Sequence, residues 1–166
     1  GCAFGHHAPF FQHVGALRVD PVPEDHRARG VVNLGDRRGG AFHGGEARLG
    51  VDVTVIDEPD DAIATGILAA HLADVRADIV HNHMYRAETV GTRAAMALAE
   101  IGHRRPYVVS TVHSSRIRSE EDRRHIRDLT PHMDQLIAVS RAIEHKLVDE
   151  ERVHTPVRLI YNGVDL

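Results

Sequence analysis

The sequence has one cysteine, one lysine and no tryptophan among its 166 residues, and aromatics make up only 4%. A single thiol, Cys2, excludes a disulfide framework and any zinc cluster built on cysteines. Lysine is confined to Lys146 and the net charge is −4. No strong basic field is therefore present, and no nucleic-acid partner is expected. No apolar run approaches the ~20 residues that cross a bilayer, and no secretory signal opens the chain. The expected protein is soluble and cytoplasmic. Its first residue is Gly rather than Met, which reads as processing, a tag or a fragment.

What is abundant is histidine, with 14 residues, but composition divides the chain unevenly. Residues 1–50 hold 10 of the 14 glycines, all four phenylalanines and only 8 of Ile, Leu, Val and Met, against 35 in residues 51–166. The first segment is Gly/His/Arg-rich, shows no sustained period of 2 or 3.6, and is poorly equipped to offset the entropy of folding. Short runs there, such as Val31-Val32-Asn33-Leu34, read as edge strands. Gly39-Gly40 and Gly44-Gly45 read as loop.

From residue 51 the pattern is regular. Val51, Val53, Val55 and Ile56 predict a buried strand that stops at Asp57-Glu58-Pro59. Residues 61–75 predict a helix capped by Asp60 or Asp61, with Ile63, Ile67, Leu68 and Leu72 at helical spacing. A strand is expected at 78–83, and a helix at 87–101 with Gly102 as its C-cap. The next strand is 107–113. Ser119 with Asp122 forms a capping box for a charged helix to about Leu129, and Pro131 interrupts. A strand at 135–139, a helix at 141–152 capped by Ser140, and a strand at 157–161 complete the series. Short apolar strands alternating with helices imply a parallel sheet covered on both faces. Right-handed crossovers then give a Rossmann-like doubly wound α/β domain over 51–166.

Ligands in such sheets bind beyond the carboxyl ends of the strands. The polar groups there are Asp57-Glu58, His81-Asn82-His83, His113-Ser114-Ser115, Ser140 and Asn162-Gly163 with Asp165. Helix capping explains Ser140, and a turn explains Asn162-Gly163. Neither explains His83 or His113. His81 and His83, two apart, face one side of a strand and offer half of a metal site that His113 could join. No carboxylate or further His stands at an obvious ligand spacing. The His-Asn-His string sits in a parallel strand, not in the metal-binding hairpin a nuclease needs. There is no Gly-x-Ser-x-Gly elbow, no Walker A loop and no intact Gly-x-Gly-x-x-Gly fingerprint.

Four blocks in order carry a resemblance: ADIVHNHMYRAETVGTRAA (77–95), PYVVSTVHSS (106–115), MDQLIAVSRAI (133–143) and PVRLIYNGVDL (156–166). Together they resemble the N-terminal domain of GT-B glycosyltransferases of family 4, one half of a GT-B architecture. The resemblance implies retaining transfer of a sugar from a nucleotide-sugar donor to an acceptor hydroxyl, with no cofactor and no metal. It implies that His113 is the cleft histidine, hydrogen-bonding the transferring sugar, with Ser114 flanking it. His83, Tyr85 and Arg86 would line the acceptor side. Arg118, with Arg116 competing, would meet a charged acceptor, and a lipid acceptor would bring peripheral membrane contact.

Two departures from the family pattern bear on activity. The chain ends at Leu166, directly after Asn162-Gly163-Val164-Asp165, so the C-terminal donor-binding domain is expected to be absent and the half inactive alone. The family's first strand and Gly-Gly loop are not recognisable in 1–50, where His43-Gly44-Gly45-Glu46 is only an echo. That segment reads as a divergent insert, a mis-assembled gene start or out-of-frame translation. The alternative to an enzyme half is a non-catalytic sugar-binding or interaction module, dimerising through the exposed domain face. A third reading is a metal hydrolase using His81, His83 and His113. Among the other histidines, His71, His125 and His145 fall on helices and are expected to be solvated.

Overall fold

The computed structural model describes the backbone of residues 13–17 and 30–34, and residues 53–114, 119–150, 152 and 154–163. The strands are β1 (His13–Leu17), β2 (Gly30–Leu34), β3 (Val53–Ile56), β4 (Ile79–His83), β5 (Tyr107–Val112), β6 (Gln135–Ala138) and β7 (Val157–Leu159). The helices are α1 (Asp61–Asp74), α2 (Tyr85–Glu100), α3 (Glu120–Leu129) and α4 (Arg141–Asp149), with a short 3-10 turn at Thr130–His132. One sheet of seven strands runs β3-β2-β1-β4-β5-β6-β7. Strands β4 to β7 are mutually parallel. The result is a Rossmann-like α/β domain.

The predicted punctuation is found where its chemistry placed it. Asp60 caps α1, its Oδ1 accepting from the backbone N–H groups of Ala62 and Ile63 at 2.8 and 3.0 Å. Gly102 follows α2 at φ +82°, the left-handed conformation that a glycine adopts without steric cost. Ser119 accepts from Asp122 N–H at 3.1 Å and opens α3. Ser140 accepts from Ile143 N–H at 3.3 Å and opens α4, so the cap fully accounts for Ser140. Helix α4 stops at Asp149, short of the predicted 152, because Arg152 turns inward as described below.

The parallel sheet expected over 51–166 is found in β4 to β7, while β1, outside that range, runs antiparallel to both β2 and β4. Two expectations are corrected. The run at 31–34 is not an edge strand: β2 lies between β3 and β1. The strand expected from Val51 is instead the sheet edge, with only Ile56 buried and Val55 exposed; Val51 itself lies outside the described residues.

A third correction concerns α1. Ala64, Leu68, Ala69 and Leu72 are buried, whereas Ile63 and Ile67 are 55% and 46% exposed. The inward stripe follows Ala64 rather than the isoleucines because α1 packs against the small residues Ala87, Val90 and Ala94 of α2. A small residue on each side lets the two axes approach closely.

Register decides what each face of the sheet carries. Val80 pairs with Val108 and Asn82 with Ser110; Ser110 pairs with Leu136 and Val112 with Ala138. These seven are buried: Val80, Val108, Val112, Leu136 and Ala138 in two clusters formed with α1 to α4, and Asn82 and Ser110 bonded to each other between them. Alternation then places His81, His83, Val109, Thr111, Gln135 and Ile137 on the opposite face. All four described helices therefore cover one face of the central strands, and the histidines occupy the other. No helix among the described residues is long and apolar enough to cross a membrane.

Candidate functional site

The last residue of β4 is His83, and the residue after the last of β5 is His113. Both stand at the carboxyl edge of the parallel strands. His83 Nδ1 lies 3.0 Å from His113 Nε2, and the rings stack at 5.3 Å. His81, two residues back on the same face, has its ring centre 4.2 Å from that of His83. Its Nε2 is 2.7 Å from Thr111 Oγ1. Period-2 alternation thus assembles three imidazoles and a hydroxyl on one surface. Ser114, half-buried, continues the edge.

Burial pushes His113 below the ordinary histidine range, opposed by the carboxylate of Glu88. Burial also lowers His81, and the neighbouring charge of His113 adds to the effect. The folded state therefore holds neutral imidazoles, each with one donor and one acceptor nitrogen. Linkage fixes the sign of the consequence. Unfolded histidine titrates near 6.5, so below that pH the unfolded chain binds protons that the native site refuses. The domain is expected to lose stability as pH falls from about 7 to 5. Thermal melts across that range, with His81→Gln as control, check this; a melting temperature that rises on acidification would contradict it.

The other predicted residues have distinct surroundings. Tyr85 is the first residue of α2 rather than part of a loop. Its hydroxyl donates to Asp122 Oδ1 at 3.0 Å and lies 3.3 Å from His125 Nδ1. Arg93 reaches His125 Nε2 at 2.5 Å. An arginine only donates, so His125 Nε2 accepts there. His125 is thus tied into the α2–α3 interface, which corrects the solvated reading. Arg86 is buried; its Nε donates to Asp61 at 2.8 Å and its NH2 to the Glu58 carbonyl. It ties α2 to the loop after β3. Arg116 and Arg118 lie outside the described residues.

Met84 joins His83 to α2 with φ 72° and ψ 163°, and α2 begins without a side-chain cap. A non-glycine residue in that region costs about 1–3 kcal/mol and persists only where its surroundings impose it. Here the imposed turn aims His83 across β5 while starting α2 at once. Sequence reasoning assigned no role to Thr111 or Glu88. The parity that put His81 and His83 together, carried one strand further, finds Thr111. Nothing local signals Glu88, because its influence comes from the packing of α2 over the sheet.

Among the described residues, no three His, Cys, Asp or Glu side chains are grouped to hold a metal ion. No curated protein matches the chain. Residues 57–166 match the family described as Glycosyltransferase Family 4. The parallel strands, the histidine edge and that match over two thirds of the sequence lead to one statement: the chain belongs to glycosyltransferase family 4, the N-terminal domain family of the GT-B glycosyltransferases.

Proposed function

We propose that this domain forms the acceptor-side wall of a cleft in which a sugar passes, with retention, from a nucleotide-sugar donor to an acceptor hydroxyl. The observation that carries the reading is His113, a neutral imidazole at the carboxyl edge of β5, braced by His83. A sugar hydroxyl can donate or accept, so it can meet His113 Nδ1, the nitrogen that His83 does not engage, in either tautomer. Ser114 flanks this contact and His83 stands beside it, while Tyr85 lines the acceptor side from the start of α2, its hydroxyl held by Asp122 of α3. Arg86 acts by fixing the α2 end of the wall, and Arg118 meets a charged acceptor, which in a lipid acceptor would hold the domain at a membrane surface.

Negative charge grows on the departing diphosphate. It is stabilised by positioned donors, which this reading assigns to a second, donor-binding domain. No metal ligand from this domain enters the scheme. Exposed Ile160 and Tyr161, directly after β7, support an apolar contact with that second domain or with another copy of this one.

The test is a donor panel assayed for sugar transfer and donor hydrolysis in a two-domain enzyme containing this chain. His113→Ala is expected to lower kcat/KM by about 10- to 100-fold, the cost of leaving a polar partner unmatched. Unchanged turnover would remove His113 from the cleft. Donor binding with no turnover in the parent protein would instead leave a sugar-binding module.

A further inference from the structure

His83 and His113 meet nitrogen to nitrogen, Nδ1 to Nε2, at 3.0 Å, and their rings are held near-parallel at 27°. A contact of this kind needs one donor and one acceptor, so it holds one proton. Two imidazoles that are both neutral carry two protons between them. One occupies the contact, and the other sits on the remaining nitrogen of one ring, either Nε2 of His83 or Nδ1 of His113. If His83 donates across the contact, His113 Nδ1 carries the second proton and is a donor. If His113 donates, its Nδ1 is bare and is an acceptor, and His83 Nε2 carries the proton. The character of His113 Nδ1 is therefore the complement of the state of His83. Protonating both rings fully would set N–H against N–H across the same 3.0 Å.

We propose that His83 and His113 work as one unit with a single proton held between them, so that His83 is the positioning residue that sets whether His113 offers a donor or an acceptor to the cleft. The cleft role of His113 rests on the transferase reading; the pairing does not. The unit can relay a proton without either ring turning: a proton arriving at the second nitrogen of one ring moves the contact proton to the other ring, which gives one up at its own second nitrogen, and one proton remains in the contact. Three features hold it in place. The turn at Met84 fixes the end of β4. Register places His83 beside Thr111, two residues before His113. His81 lies against His83, its ring tilted by 41°, and is itself held by Thr111. Among the described residues, the titratable and charged groups that bear on the pair are His81 on β4 and Glu88 on α2, which is paired with Arg152 at 2.9 Å; the backbone of His13 on β1 stands in register with His83.

The experiment is a pH titration of the 15N-labelled full chain, following the imidazole nitrogens, with His83→Leu and His83→Gln alongside. In the parent chain both rings are expected to report the same two protonation steps, separated by more than about one pH unit, as coupled sites do. In His83→Leu, His113 is expected to titrate in a single step. In His83→Gln the side-chain amide can again donate or accept, so a fixed His113 tautomer returns while the second step does not. Independent single steps for the two rings in the parent, or a His113 curve and tautomer unchanged in His83→Leu, would overturn the proposal. Should the leucine variant fail to fold, the parent titration and the glutamine variant decide. No sugar enters this measurement. A coupled pair beside undiminished transfer by His113→Ala would sink the transferase reading alone; transfer that needs His113 beside uncoupled rings would sink the pair alone.

Discussion

Arg152→Ala is expected to cost about 3–5 kcal/mol, enough to bring a domain of ordinary stability close to unfolding. Arg152 is fully buried in the segment between α4 and β7. Its NH2 donates to Glu88 Oε1 and its Nε to Thr130 Oγ1, each at 2.9 Å. Glu88, on α2, is 1% exposed. Removing the cation takes from a buried carboxylate the ion pair that helps offset its desolvation. Urea denaturation of the variant measures the loss, and a change below about 1 kcal/mol would show that the pair does not carry this burden. The double replacement Glu88→Leu with Arg152→Met is expected to recover most of the stability, because a well-packed apolar pair can equal a buried ion pair. The pair also reaches the site. With Arg152 gone, the field of Glu88 loses that neutralising partner and His113 is expected to protonate more readily; Glu88→Gln is expected to shift it the other way. Histidine titration by NMR reads both directions.

Gly91→Ala is expected to destabilise by about 2 kcal/mol, against the usual gain from replacing a helical glycine. A Cβ there would stand 2.0 Å from Asn82 Oδ1 and 2.9 Å from its Cγ. Asn82 is fully buried, with its Nδ2 donating to Ser110 Oγ at 3.3 Å and to Thr92 Oγ1 at 3.5 Å. It has no room to retreat without giving up those bonds, so α2 must lift from β4. Asn82 sits between His81 and His83 with its side chain on the opposite face, so lifting α2 disturbs the strand that aims both imidazoles. Asn82→Ala combined with Gly91→Ala is expected to cost less than the sum of the two single changes. Thermal melts of the four proteins close the cycle. A Gly91→Ala protein more stable than its parent would refute the close approach.

Local chemistry made much of this architecture legible. Asp60, Ser119, Ser140 and Gly102 announce helix ends by what their own atoms can do, and each does so here. Strands β4, β5, β6 and β7 could be read because each is short, apolar and bounded by turn residues. The candidate edge followed from topology, and His83 with His113 from that edge. What escaped reading depends on distant partners. The buried stripe of α1 was misplaced because Ile63 and Ile67 outweigh Ala64 in any hydrophobic scale, while close packing on α2 favours the alanine. Val55 reads as buried, yet β3 is an edge. Arg86 resembles a ligand contact in sequence, and only the fold shows it joined to Asp61. No pattern links Glu88 to Arg152, since side-chain pairing across packed elements leaves no period.

The antiparallel placement of β1 between β2 and β4 also ranks the steps by which the sheet can assemble. Each of β4, β5 and β6 pairs with the next strand in the chain, across one intervening helix. The β1–β4 ladder instead closes over β2, β3 and α1 together. Longer closures cost more entropy before any contact repays them, and non-local pairing slows folding. The parallel ladder bearing His83 and His113 is thus the low-contact-order part of the molecule. The seam between β1 and β4 is the longest closure among the ladders of the sheet.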